Sequence, residues 1–114
     1  MDKSLLDRIN FREQAIVFRL LNFLGQNGYV IEKFEKIVFE VEVDENDILV
    51  SNGMQLFKKG KANFVQKTDY LNLISLKSKR LLKSYTPEFT RMRVIIFSRE
   101  EYLFEYSSKK LVLG

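Results

Sequence analysis

Apolar residues recur at helical spacing over residues 4–27, where Ile9, Ile16, Leu20 and Phe23 share one face. Phe11, Ala15, Phe18 and Leu21 widen that stripe, so this helix is expected to lie heavily buried against a sheet. Asn10 followed by Glu13 has the spacing of a capping box, which would start the regular helix near residue 11 and leave 4–9 as a preceding turn or short helix. Asn27-Gly28 reads as a left-handed stop.

The period then changes. Ile37, Phe39, Val41 and Val43 alternate with Lys36, Val38, Glu40 and Glu42, the pattern of a strand with one wet face within 34–43. Residues 44–47 form a turn, 48–51 a short strand, and Asn52-Gly53 carries a two-residue hairpin signal leading into 54–58. Gly60 marks a further turn before a strand over 62–66. Tyr70, Leu71, Ile74, Leu81 and Leu82 predict an amphipathic helix over 69–84, capped by Thr68 or Asp69 and broken at Thr86-Pro87. A strand beginning around Leu71, Leu73 and Ser75 is the competing reading of that segment. Residues 90–98 and 102–106 pair as a hairpin around 99–101, and 109–113 would add a last strand. The expectation is an α+β fold in a single domain over 1–114. It has an antiparallel sheet of about five or six strands, an N-terminal amphipathic helix and a second helix packed on it.

Composition narrows the chemistry. The 114 residues are 46% hydrophobic and 30% charged, with ten Phe and five Tyr, which suits one domain with a real core. There is no His and no Cys. That removes imidazole- and thiolate-based nucleophile systems and the common zinc, haem and iron–sulfur ligand sets. Carboxylate, Lys and Tyr chemistry remain. The longest apolar stretches, 15–18 and 94–97, are far too short to span a bilayer. The N-terminal residues carry mixed charge and no signal-peptide core, so the cytoplasm is the expected location.

Charge divides along the chain. Residues 1–57 hold six Lys/Arg and ten Asp/Glu, and residues 58–114 hold thirteen Lys/Arg and five Asp/Glu. Such asymmetry points to an electrostatically selected partner, although the halves can also neutralise each other across the fold. The acidic cluster Glu40, Glu42, Asp44, Glu45 and Asp47 is the first candidate, as a protein-binding patch. Asp44 and Asn46 match the opening of a calcium loop, but Ile48 and Leu49 stand where a ligand and a glycine are needed, so no metal is assigned. Glu40-Val41-Glu42 lacks the lysine of a magnesium-nuclease motif. The basic candidate comprises Lys58, Lys59, Lys61, Lys77, Lys79, Arg80 and Lys83. Interleaved with aromatics, these residues have the composition of a single-stranded nucleic-acid surface. Phe64 is expected in the core, and Phe11 and Phe18 against the chain's own sheet, with an exposed dimer face on that helix as the alternative. No cofactor-binding motif is present.

The leading helix, NFREQAIVFRLLNFLGQNGY, and the closing hairpin, RMRVIIFSREEYLFEY, together with the chain's size, resemble the small bacterial immunity proteins of contact-dependent growth inhibition, including YezG-like families. The resemblance implies a non-enzymatic protein that neutralises one protein partner, a cognate toxin domain, by binding and occluding its active site. The cluster Glu40 to Asp47 would face the basic cleft of a toxin nuclease. A small nucleic-acid-binding or regulatory module using 58–83 is the alternative.

Overall fold

A computed structural model describes residues 3–46, 48–66 and 68–108. The expected strand over 109–113 and the candidate Asp47 lie outside them. Two helices, α1 (Lys3–Gln26) and α2 (Asp69–Tyr85), pack on one face of a five-stranded antiparallel sheet. Its strands are β1 (Lys36–Val43), β2 (Leu49–Lys58), β3 (Lys61–Phe64), β4 (Arg91–Ile96) and β5 (Tyr102–Ser107), in the spatial order β3-β2-β1-β4-β5. The α+β reading therefore stands, with five strands, and the segment after Thr68 is helical.

α1 begins at Lys3, so Asn10 and Glu13 sit inside the helix and form no cap. Glu13 instead accepts a 2.6 Å hydrogen bond from the Tyr106 hydroxyl of β5. The stop signal works as expected. Tyr29 N–H reaches Leu24 O at 2.9 Å and Gly28 N–H reaches Gly25 O at 3.2 Å, the two bonds of a Schellman motif, with Gly28 at φ 83°. At the other helix, Thr68 Oγ1 accepts from Leu71 N–H at 3.2 Å, as its cap position requires.

The Asn52-Gly53 signal does not make a turn. β2 runs unbroken through it, with Asn52 opposite Val41 and Gly53 opposite Glu40. Neither residue adopts the positive φ that a type I′ hairpin demands. Asn52 is used in tertiary packing: its amide donates to Ser75 Oγ at 2.8 Å and to Asn72 Oδ1 at 3.3 Å, fixing α2 to the sheet. The β2–β3 turn falls at Lys59-Gly60, where both residues have positive φ. Glu35 supports it by accepting from Gly60 N–H at 3.0 Å.

The core lies between the layers. Ile37, Phe39 and Val41 of β1 meet Met54 and Leu56 of β2, Met92, Val94 and Ile96 of β4, and the buried stripes of both helices. α2 approaches the sheet over small side chains: Ser75 and Ser78 are fully buried, and their hydroxyls donate back to Leu71 O and Ile74 O. Phe23 stacks on Tyr70 to join the helices, with ring centroids 5.9 Å apart. Phe104 stacks against Tyr106, which also stacks on Phe89, and these rings close the β5 edge.

Three aromatic expectations are overturned. Phe11 and Phe18 are 73% and 66% exposed, because the stripe that packs inward is Ile9, Ile16, Leu20 and Phe23. Phe64 is 77% exposed: it pairs with Gln55, on the face turned away from Leu56, and the next residue, Val65, enters the core instead.

Candidate functional site

Among the described residues only one face of the sheet carries helices. Alternation along the strands therefore leaves a second face that no described helix covers, on which Phe64 and Leu103 are exposed and Val38 is buried. The registers align its residues in rows across the strands. One row is apolar apart from Gln55: Phe64, Gln55, Val38, Ile95 and Leu103. The next holds Gly53, Glu40, Arg93 and Glu105, and the one beyond it Ser51, Glu42, Arg91 and Ser107.

The sequence-predicted acidic residues meet different fates here. Glu40 takes a 2.9 Å bond from Arg93 Nε, and Glu42 a 3.3 Å bond from Arg91 Nη2. The Glu42 side chain is only 12% exposed against 33% for Glu40, so the first pair is the more open of the two. Asp44 turns back on its own loop, accepting from Asn46 N–H at 2.8 Å and Ile48 N–H at 2.9 Å. Glu45 is exposed at the turn. Glu40 and Glu42 thus share one end of the open face, each matched by an arginine, while Asp44 and Glu45 belong to the turn that follows β1. Glu105, directly across from Arg93, joins that end. Sequence reasoning missed it, since its strand neighbour is set by a register with no local signature. Among the described residues no three carboxylates converge as a metal cage requires.

The basic candidate residues divide. Lys58, Lys59 and Lys61 cluster at the β2–β3 turn on the far edge of the sheet. Lys77, Lys79, Arg80 and Lys83 lie on α2 in the helical layer. There α1 adds two cations that the sequence reading left out. Arg12 and Arg19 line a cavity of about 180 Å³ together with Phe11, Ala15, Ile16, Lys77 and Arg80. The Arg12 guanidinium sits 5.0 Å over the Tyr85 ring.

The chain halves thus do not form an acidic and a basic lobe. Arg91 and Arg93 from the second half neutralise Glu42 and Glu40 from the first, and Arg12 and Arg19 from the first reinforce α2 from the second. At the opposite end of the sheet Arg99 Nε bonds Glu32 at 3.1 Å, and Glu32 is held below the usual carboxylate range by a hydrogen bond from its own backbone N–H, then by Arg99.

Among the described residues no helix is long and apolar enough to cross a membrane. The chain matches no protein-family model and no curated protein.

Proposed function

We propose that this protein acts by binding and not by catalysis, as an immunity-type inhibitor whose open sheet face docks on one protein partner, a cognate toxin domain, and occludes its active site. The observation that carries the reading is the uncovered sheet face itself. A sheet seldom leaves large apolar side chains such as Phe64 and Leu103 exposed, with Ile95 half-buried between them and Val38 buried beneath, without a use for them. Such a row beside hydrogen-bonded charge pairs has the anatomy of a protein interface, with apolar anchors and a polar surround.

Charge favours a basic partner. The end of the face beyond the apolar row, with the turn that follows β1, holds Glu40, Glu42, Asp44, Glu45 and Glu105 against Arg91 and Arg93. A nuclease cleft built for a polyanion is complementary to that surplus. Because Glu40 and Glu42 are already paired, Glu45 and Glu105 carry most of the long-range attraction, while Ile95, Leu103 and Phe64 supply the desolvated contact. Charge reversal at Glu105 should then slow association, and Leu103→Arg should speed dissociation.

The test is to purify the tagged protein from its native cells at low and high salt, identify any stoichiometric protein, and reconstitute the complex from purified parts. The expected result is a 1:1 complex that survives high salt, blocks the partner's toxicity on co-expression, and is weakened at least tenfold by Leu103→Arg with the fold intact. A reconstituted complex indifferent to Leu103→Arg, Ile95→Arg and Glu105→Lys overturns the assignment to this face. A partner whose activity is unaffected by binding overturns the inhibitor reading.

A further inference from the structure

The opposite side of the molecule has a different character. The cavity between the helices is one of three neighbours: a larger one of about 660 Å³ shares Phe11 and Arg12 with it, and a third shares Arg80. Together they make a trough across the helical layer in which, among the described residues, Asp7 is the sole carboxylate lining. Arg12, Arg19, Lys77 and Arg80 have no carboxylate within 4.0 Å among the described residues. Each of the three described ion pairs instead lies among the strands and loops.

From this trough we infer a second binding activity: it holds single-stranded nucleic acid, its cations on the phosphates and Phe11 and Phe18 under the bases. Three features select this occupant. The cations are spread over neighbouring cavities, so they suit an extended polyanion better than an isolated anion. Arg dominates on α1, and guanidinium forks suit phosphate oxygens. The rings of Phe11 and Phe18 stand out from the surface, as stacking platforms must; a docked acidic helix would need an apolar seat, and the groove between the helices is lined mostly by cations. A second copy of this face is disfavoured by like charge.

The spacing also fits. Phe11-Arg12 recurs as Phe18-Arg19 seven residues later on the same helix face. Seven helical residues rise about 10 Å, close to three steps of a stacked strand at about 3.4 Å each. Each dyad thus offers one ring and one fork in register with every third nucleotide. This site is distinct from the residues 58–61, which occupy the sheet edge, and it needs none of the open sheet face.

Fluorescence anisotropy with labelled oligo(dT) of about 15 nucleotides, a length within known site sizes, tests the inference. Four phosphate contacts on a single strand predict a log K against log salt slope of about −3. Arg19→Gln with Arg80→Gln should halve that slope. Phe11→Ala and Phe18→Ala should each weaken binding about tenfold with the slope unchanged. Circular dichroism confirms the fold of each variant. Lys59→Gln and Leu103→Arg should leave binding intact. Absence of binding by the unaltered protein, insensitivity to the ring substitutions, or an equal loss with Lys59→Gln overturns the site. So does displacement by polyglutamate at the same charge concentration, which would assign the trough to acidic protein segments.

Discussion

The two broad surfaces of this molecule handle charge in opposite ways. On the open sheet face, Glu40 and Glu42 are each matched by an arginine on the neighbouring strand, and the charge is spent within the fold. On the helical face, Arg12, Arg19, Lys77 and Arg80 converge on one cavity, and among the described residues none of them has a carboxylate within 4.0 Å. Antiparallel strands bring side chains into fixed cross-strand pairs, so opposite charges there meet at hydrogen-bonding distance. Helices meet along their apolar stripes and push their charged flanks to the same outer surface, where like charges gather. The first arrangement favours a specific contact led by apolar anchors with a small acidic surplus, and the second a salt-sensitive hold on a polyanion.

The sharpest way to break this division is to disturb the seam on which both surfaces depend. Ser75→Leu forces a large side chain where α2 lies closest to the sheet and removes the acceptor of Asn52. It should destabilise the fold by about 3 kcal/mol, at the upper end of overpacking effects, in urea denaturation, and weaken both binding activities in step. Next in size is the difference between the two cross-strand pairs. Glu42→Ala leaves the Arg91 guanidinium half-covered without its carboxylate, and Arg91 Nε is already buried with no acceptor. A loss of about 1–3 kcal/mol is expected, against less than about 1 kcal/mol for Glu40→Ala, whose pair is more open to water. Equal losses would mean that the open face is uniformly solvated.

A smaller effect, with pH as its handle, concerns the strut between the layers. Burial raises the Glu13 carboxyl above its ordinary pKa, partly offset by the Tyr106 hydroxyl, and the same burial followed by the Glu13 charge raises Tyr106. The unfolded chain therefore ionises at this position first. The stability contributed by Glu13 is greatest below the ordinary carboxylate pKa and falls as pH rises through the higher folded value. Glu13→Gln keeps an acceptor for Tyr106 and removes that loss. Its stability relative to the unaltered protein should grow as pH rises above the ordinary carboxylate pKa of about 4. The smallest effect comes from Arg80→Gln, which should alter stability by less than about 0.5 kcal/mol because no contact depends on that charge. A large loss there would reveal a structural role and weaken the case for the trough.

Which parts of this arrangement could be seen in the sequence follows from what each pattern encodes. The periods of Ile9, Ile16, Leu20 and Phe23, and of Ile37, Phe39, Val41 and Val43, locate α1 and β1 because each element buries a single side. Asn27-Gly28 and Thr68 mark helix ends through bonds made within a few residues. Asn52-Gly53 misleads because a local turn signal is overridden by a tertiary bond to Ser75, distant in sequence. Phe11, Phe18 and Phe64 mislead for another reason: hydrophobicity reports what a side chain is, not whether a second layer exists to cover it. The candidate surfaces were partly legible. Glu40 and Glu42 belong to one face by simple alternation, yet their arginines arrive from β4, and Arg12 and Arg19 join Lys77 and Arg80 only once the helices pack.

The strand order has a kinetic consequence. β1, β2 and β3 form a meander and β4 with β5 a hairpin, so each of the five strands pairs with a neighbour in the chain. Joining the two pieces takes one closure, β1 against β4, across all of α2. Closure entropy grows only with the logarithm of loop length, by about 0.6 kcal/mol per doubling. The exposed turn at Pro87 and Glu88 lies within that loop and outside every strand. Extra residues spliced there would lengthen the search for the β1–β4 seam while leaving each half free to assemble at its own pace, which makes this turn the natural place to insert a reporter or to divide the chain into two complementing fragments.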